Sequence, residues 1–170
     1  MNRFLFVFLF FLTACGGKVV QPKKTDWSKK KSTDLNRELA IRQEMQIKMY
    51  LEQHSDWQIK ETGTGLRYWI YKNGTGDSSV VGMHARVETE ITLLDGTSCY
   101  KTASDEYDEF VIDRSDVESG VQEGIKKMRV GDKAKLIIPS HLAHGLIGDL
   151  DKIPPLAVLV VDISLIELVP

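Results

Sequence analysis

Cysteine, net charge and long apolar runs are all scarce in this sequence, and each shortage excludes a class of protein. Two cysteines in 170 residues cannot form the disulfide framework that stabilises many small secreted domains. A formal net charge of −2 gives no electrostatic reason to expect nucleic acid as a partner. The remaining composition, 42% hydrophobic and 27% charged residues, is typical of one folded domain with appendages.

The longest apolar run lies near the N-terminus and is too short to span a membrane. Phe4–Leu12 has nine residues, whereas a membrane-spanning helix needs about 20. The run follows Arg3, as in the hydrophobic region of a secretory signal peptide, and it ends in the sequence LTAC, whose last residue is Cys15. This ending resembles a bacterial lipobox, in which the cysteine carries lipid and becomes the first residue of the mature protein.

Lipidation of Cys15 would attach the protein to a membrane of the bacterial cell envelope. Gly16 follows the cysteine, and by resemblance to enteric sorting rules this residue disfavours retention in the inner membrane. We therefore predict the outer membrane, on its periplasmic face or at the cell surface. Cys99 is then left without a disulfide partner. We interpret it as a half-buried strand residue, with a reactive thiol as the alternative.

Two segments without a strand pattern follow Cys15. Residues 16–33 are rich in lysine, glycine and serine, which predicts a flexible tether, with contact to anionic lipid headgroups as the alternative for its lysines. Strong helix formers run from Leu35 to His54, and Asp34 is a suitable N-cap. The apolar residues of this helix are spread around it. We favour docking of the helix on the domain over weak pairing with a second copy of the chain.

The rest of the chain alternates short strands with one short helix. Val117, Val121, Ile125 and Met128 form one apolar stripe at helical spacing. Apolar and polar residues alternate in most of the other segments. The predicted strands are Leu66–Tyr71, Ala85–Leu93, Thr97–Tyr100, Phe110–Ile112, Lys133–Ile138 and Ala157–Leu168. A sheet of these five or six strands with one short helix predicts an α+β domain.

Several short sequences in this region identify a family. They are GVQEG at 120–124, MRVGDKA at 128–134, AHG at 143–145, IPP at 153–155 and LVVDI at 159–163. Their order and spacing resemble the FKBP-type peptidyl-prolyl cis-trans isomerase domain. The lipobox, the charged helix and TGTGLRY at 62–68 are more particularly similar to FKBP lipoproteins of the Bacteroidetes type, including those associated with gliding motility.

The resemblance implies a bent antiparallel β-sheet wrapped around one short helix, with an apolar pocket between them. It also implies a prolyl isomerase that assists the folding of exported envelope proteins, with proline-containing polypeptides as clients and no cofactor. The predicted parts are a lipoprotein signal peptide, a flexible tether, an N-terminal helical segment, a leading β-hairpin region and the isomerase domain. In the same order, these parts cover residues 1–14, 15–33, 34–58, 59–81 and 82–170.

Pocket residues are predicted in two ways. Strand alternation places Thr89, Val161 and Ile163 inward, and the helix stripe does the same for Val117 and Val121. The resemblance assigns pocket positions to nine residues: Thr89, Cys99, Tyr100, Val117, Glu118, Val121, His144, Ile153 and Val161. The backbone N–H of Glu118 remains a possible donor to a ligand, because the main chain does not depend on the side chain.

The resemblance also implies that the pocket has lost aromatic residues. Val121 stands where the family has tryptophan, and Thr89 and His144 stand where it has tyrosine. Cys99 and Val161 stand where it has phenylalanine. We therefore expect a pocket that is wider, wetter or filled by Tyr100, Tyr107 or Phe110, and weak isomerase activity. A non-catalytic binding or chaperone module of the same fold is the alternative.

Two polar clusters have ordinary interpretations. His141 and His144, with Asp149 and Asp151 nearby, lack a further ligand pattern, so no metal site is predicted. His144 is instead a candidate donor, or an exposed loop residue. The acidic run Asp105–Glu109 is interpreted as a solvated flap, with binding of a basic partner as the alternative.

Overall fold

A computed structural model describes residues 29–170 of the chain. The predicted signal peptide, the lipidation site Cys15 and the first part of the tether lie outside the described residues. Within residues 29–170, no helix is both long enough and apolar enough to cross a membrane.

The described chain forms two α-helices, seven strands and one turn of 3-10 helix. In chain order they are α1 (Lys29–Glu52), β1 (Lys60–Glu61), β2 (Arg67–Lys72), β3 (His84–Leu93), β4 (Ser98–Lys101), β5 (Asp108–Val111), α2 (Ser119–Ile125), β6 (Lys133–Ile138), η1 (Ser140–Leu142) and β7 (Leu159–Val169). The α+β prediction is confirmed, with more strands than the five or so expected.

All seven strands belong to one antiparallel sheet. The strand order is β1-β2-β6-β7-β3-β4, and β5 pairs with the first half of β3. The longest pairing joins β3 to β7 and places Thr89 opposite Ile163 and Ile91 opposite Val161. On its other side β7 pairs with β6, so that Leu136 also lies opposite Val161. The last strand therefore runs through the centre of the sheet.

Helix α2 packs on one face of the sheet and buries its apolar stripe there. Val121 and Ile125 are buried, as are Leu136 and Ile138 on the facing strand β6. Gly120 and Gly124 bring the helix close to this strand, because a Cβ at Gly120 would lie 2.3 Å from Ile138 Cγ2. Glycine is the residue that permits such an approach.

Helix α1 covers part of the opposite face. Ile47 is fully buried against Ile137 and Val158, which point away from α2. Arg67 of β2 is also buried, and its Nη2 lies 2.7 Å from the Glu44 carboxylate of α1. Docking of this helix on the domain, which the sequence favoured, is therefore confirmed.

The start of α1 corrects two details of the sequence interpretation. The described part of the helix already includes Lys29, so Asp34 lies inside the helix and is not its N-cap. Residues 29–33 are likewise helical and do not belong to a flexible tether. Lysine and serine tolerate a helix interior, which explains why an existing helix continues through them once its later turns are docked.

Candidate functional site

A cavity of about 190 Å³ lies between α2, β5 and the concave face of the sheet. Its walls are mainly apolar, with one hydroxyl and three carboxyl side chains among the lining residues. The apolar members are Val87, Ile91, Phe110, Val117, Val121 and Val161. The volume is below the roughly 300–1,000 Å³ of typical small-molecule sites, so the cavity suits one small ring rather than a large ligand.

Five of the nine predicted pocket residues line this cavity. They are Thr89, Val117, Glu118, Val121 and Val161. The strands supply Thr89 and Val161, and the segment from Val117 to Val121 leads into and forms the first turn of α2. The other four, Cys99, Tyr100, His144 and Ile153, lie outside the lining of the cavity.

Thr89 belongs to a small hydroxyl network at the cavity. Its hydroxyl donates to Asp108 Oδ2 at 3.0 Å, and the Thr102 hydroxyl donates to the same oxygen at 2.6 Å. The backbone N–H of Thr89 donates to Thr102 Oγ1 at 2.8 Å. The Thr89 hydroxyl is thus already engaged with a carboxylate of the protein.

Glu118 immediately precedes α2 and links that helix to the loop after η1. Its carboxylate Oε1 lies 2.9 Å from His144 Nε2, and both side chains are less than one-third exposed. The backbone N–H of Glu118 has no hydrogen-bond partner within residues 29–170. A main-chain donor is therefore available beside the cavity, as expected for an unpaired N–H at the start of a helix.

Tyr100 and Ile153 are joined through Asp149. The Tyr100 hydroxyl donates to Asp149 Oδ2 at 2.5 Å, and the backbone N–H of Ile153 donates to Asp149 Oδ1 at 2.7 Å. Ile153 is itself buried. Burial would raise the pKa of Asp149, but hydrogen bonds from Tyr100, Asp151 and Ile153 outweigh burial and hold this pKa at about 2.

Cys99 lies on β4 and is more deeply buried than the sequence predicted. The side chain is only 4% exposed, and its thiol lies 3.6 Å from the carbonyl oxygen of Lys152. Burial, with the nearby Asp149 and Asp95, raises the pKa of the thiol. A buried thiol held in its protonated form is a structural residue rather than a nucleophile.

Phe110 supplies the one aromatic side chain in the lining of the cavity. Its side chain is 7% exposed, and it pairs across the sheet with Ala85. Of the three aromatic residues expected as fillers, Tyr107 instead lies 51% exposed with the Arg86 guanidinium 4.8 Å from its ring. Tyr100 is turned toward Asp149. The sequence placed Phe110 on a strand but not opposite Ala85, because pairing partners depend on strand order.

Asp108 and Glu109 of β5 also line the cavity, and the pocket positions assigned from the sequence did not include them. The Glu109 carboxylate binds Arg86 Nε at 2.9 Å and His84 Nδ1 at 3.0 Å. The hydrogen bond from Arg86, and after it the one from His84, lowers the pKa of Glu109. The segment containing both residues was interpreted as a solvated flap. The pairing of β5 with β3 brings it to the cavity.

The loop histidines have separate partners. His141 Nε2 lies 3.0 Å from the carbonyl oxygen of Thr64, and His144 faces Glu118. Among residues 29–170, no three His, Cys, Asp or Glu side chains are grouped so as to hold a metal ion.

A larger concavity of about 530 Å³ runs along α2 and shares Val117 with this site. Two others are each of about 330 Å³, and the first of them shares Thr89 with the site. One is polar and lies on the outer face of the sheet, where Tyr71, Lys133 and Asp162 contribute to its lining. The other lies between α1 and the loop after η1, next to Gln43 and Leu146. Neither contains the residues of α2 that the sequence singled out.

The model of one protein family, the FKBP-type peptidyl-prolyl cis-trans isomerases, matches residues 76–166. This is more than half of the chain, and the chain belongs to that family. The family match begins after β2, although β2 pairs with β6 in the same sheet.

Individual relatives agree with the family match. The FKBP-type peptidyl-prolyl cis-trans isomerase FkpA of Aeromonas hydrophila is 36% identical over 110 residues, which cover 65% of this chain and 40% of that protein. The crystal structure of FkpA from Escherichia coli has a TM-score of 0.68 at 28% identity, covering 82% of this chain and 64% of that one. A peptidyl-prolyl cis-trans isomerase from Pseudomonas syringae has a TM-score of 0.61 at 27% identity, covering 75% and 96%. The chain spans about two fifths of the length of the FkpA proteins of Aeromonas hydrophila and Escherichia coli.

Proposed function

We propose that this protein isomerises prolyl peptide bonds of polypeptide clients in the cavity between α2 and the sheet. The proposal rests on one small cavity, in which six apolar side chains of the lining lie beside a main-chain donor, the N–H of Glu118. A prolyl bond resists rotation because its C–N bond has partial double-bond character, with a barrier of about 18–20 kcal/mol for peptide bonds. Lowering that barrier needs no nucleophile, metal or cofactor.

The cavity can act on the twisted amide in two ways. Twisting removes the charge-separated resonance form, so an apolar cavity favours the twisted amide over the planar one. The N–H of Glu118 can donate to a substrate carbonyl. Thr89 and His144 are less suited to this role, because the hydroxyl of the first is bound to Asp108 and Nε2 of the second to Glu118.

We further propose that the activity is weak. Val121 and Val161 present less surface to a prolyl ring than aromatic side chains would, and Phe110 is the only aromatic residue that lines the cavity within residues 29–170. Less contact with the ring means less binding free energy to apply to the twisted amide.

The full-length chain in mild detergent should accelerate cis-trans exchange of a short proline peptide, measured by NMR exchange spectroscopy. Phe110→Ala should reduce this acceleration at least about fivefold, since it removes the aromatic wall. Tyr107→Ala is the matched control, because that exposed ring lies outside the cavity, and it should leave the rate within twofold. Val121→Trp should raise the rate if the cavity is merely depleted of aromatic surface. Absence of any acceleration at micromolar protein would reject catalysis.

We propose that the protein acts at the bacterial cell envelope, anchored to the outer membrane through lipid on Cys15 and assisting the folding of exported proteins. The lipobox-like sequence before Cys15 supports the anchor, and membership of an isomerase family supports the folding role, since prolyl isomerisation is slow enough to limit folding. We also propose that the protein is similar to the FKBP lipoproteins of the Bacteroidetes type.

Lipidation is tested by feeding a clickable fatty acid to cells that express the full-length chain. Incorporation into the wild type and into Cys99→Ala, but not into Cys15→Ala, is the expected result. Equal labelling of Cys15→Ala, or no labelling of the wild type, would remove the anchor from the proposal.

A non-catalytic chaperone module is the second candidate, and the loop after η1 favours it. Leu146, Ile147 and Leu150 of this loop are 66%, 64% and 85% exposed. Exposed apolar residues of this size commonly contact other polypeptides. The full-length chain should then reduce aggregation of a refolding client that has no rate-limiting prolines. Leu150→Ser with Ile147→Ser should remove the effect, and Phe110→Ala should not.

A further inference from the structure

The charged residues that line the cavity are all acidic. Three carboxylate residues, Asp108, Glu109 and Glu118, contribute to its lining, and neither lysine nor arginine does. Two of these carboxylates are paired with cationic or titratable groups, Glu109 with Arg86 and His84, and Glu118 with His144. The third, Asp108, differs from them.

Asp108 has no cationic partner within residues 29–170. Its carboxylate accepts hydrogen bonds from the hydroxyls of Thr89 and Thr102, at 3.0 Å and 2.6 Å. These two neutral donors orient the carboxylate without neutralising its charge. Asp108 lines the cavity and is also exposed to solvent, so a side chain that extends out of the cavity can reach its carboxylate.

We propose that the cavity prefers prolyl bonds whose neighbouring residue is lysine or arginine, and that Asp108 determines this preference. The inference rests on the proposed isomerase function and names its substrate class. When the prolyl ring occupies the cavity, the aliphatic part of the neighbouring lysine or arginine side chain lies along an apolar lining residue such as Ile91. The cationic end of that side chain then reaches the Asp108 carboxylate. Long basic side chains adopt this arrangement readily. A glutamate at the same place would be repelled by Asp108.

The preference is measured with three pairs of short peptides, in which lysine, leucine or glutamate stands directly before or directly after the proline. NMR exchange spectra of the full-length chain in mild detergent give the isomerisation rate, and titrations in the same samples give the affinity. We expect lysine to exceed leucine by about three- to fivefold on at least one side, and glutamate to be weakest. The difference should shrink at about 0.5 M salt.

Asp108→Asn keeps an acceptor for both threonines and should bring lysine and leucine within twofold of each other. Glu106→Gln is the matched control, because it removes one charge from the same flap without touching the lining of the cavity. It should leave the preference intact. If Glu106→Gln also lost the preference, the total negative charge of the flap rather than Asp108 would cause it, and the role of Asp108 would be overturned.

Different results would reject the charge preference and the isomerase function. If every peptide is isomerised but lysine has no advantage in rate or affinity, the charge preference is wrong and the isomerase function stands. If no peptide is accelerated, catalysis is wrong, and the affinities still decide the preference, because equal binding of lysine and leucine peptides would reject it.

Discussion

Asp149 fixes the loop that leads from η1 to β7 by means of a single carboxylate. One oxygen accepts the backbone N–H groups of Asp151 and Ile153, at 2.9 Å and 2.7 Å, and the other accepts the Tyr100 hydroxyl. Tyr100 lies on β4, so this residue ties a loop to a strand that is remote in the sequence. The hydrogen bond to Asp149 raises the pKa of Tyr100 to about 12, and the three hydrogen bonds together lower the pKa of Asp149 despite its burial.

The first prediction concerns Asp149→Asn and stability in acid. The pKa of Asp149 is 3.8 ordinarily and about 2 in the fold, so its contribution is complete above about pH 4 and is lost as the pH falls through about 2. Urea unfolding at steps between pH 6 and pH 2 should show a smaller acid loss for Asp149→Asn than for the wild type. Tyr100→Phe, which removes one of the hydrogen bonds, should lie between them. Parallel curves for Asp149→Asn and the wild type would contradict the assignment.

At the scale of an element, α2 lies against the sheet because of two small residues. A Cβ at Gly120 would lie 2.3 Å from Ile138 Cγ2, and one at Gly124 would lie 2.6 Å from Leu136 Cδ1. Both facing side chains are fully buried and cannot move aside freely. The position of α2, and therefore the distance between Val121 and the sheet, depends on these glycines.

The second prediction is that Gly120→Ala destabilises the fold by about 1–2 kcal/mol. Overpacking against Ile138 costs about 1–3 kcal/mol, and the better helix propensity of alanine offsets up to about 1 kcal/mol of this. Equilibrium urea unfolding measures the change. Gly63→Ala is the control, since no atom lies within 4 Å of a Cβ there, and it should be neutral or slightly stabilising. A neutral Gly120→Ala would mean that α2 can move away from β6.

At the scale of the whole molecule, the sheet is covered on both faces. Helix α2 packs against Leu136 and Ile138, whereas α1 packs against Ile137 of the same strand. Trp57 follows α1 and lies 5.7 Å from Trp69 of β2, measured between ring centroids. The segment before the family match is therefore part of the same folded unit as the cavity.

The third prediction is that α1 and the sheet unfold together. Ile47→Ala should lower the free energy of unfolding by about 2–4 kcal/mol, because it leaves a cavity against Ile137. Tryptophan fluorescence and far-ultraviolet circular dichroism should report one coincident transition, shifted equally. Met45→Ala, at a position that is 61% exposed on the same helix, should change stability by less than about 0.5 kcal/mol. Separate transitions for the two signals would show that α1 docks independently.

Much of the fold could be predicted from local patterns, but less of the site. The alternation in Lys133–Ile138 predicted β6 with its observed bounds, and the stripe through Val121 and Ile125 predicted the buried side of α2. Of the nine pocket positions, Thr89, Val117, Glu118, Val121 and Val161 line the cavity. The helical conformation of residues 29–33 could not be predicted, because docking of the later turns extends α1 through residues of neutral propensity.

The sequence alone determined which side of each strand and helix is buried, because that depends on periodicities of two and 3.6 residues within one segment. It also determined the family, through short motifs that keep their spacing. Only the tertiary structure decided which segments meet. Pairing of β5 with β3 brings Phe110 and Asp108 to the cavity, and folding of the last loop brings Asp149 to Tyr100. A local pattern identifies the buried face of a strand but not its neighbour, so the shape and charge of the cavity follow from strand order.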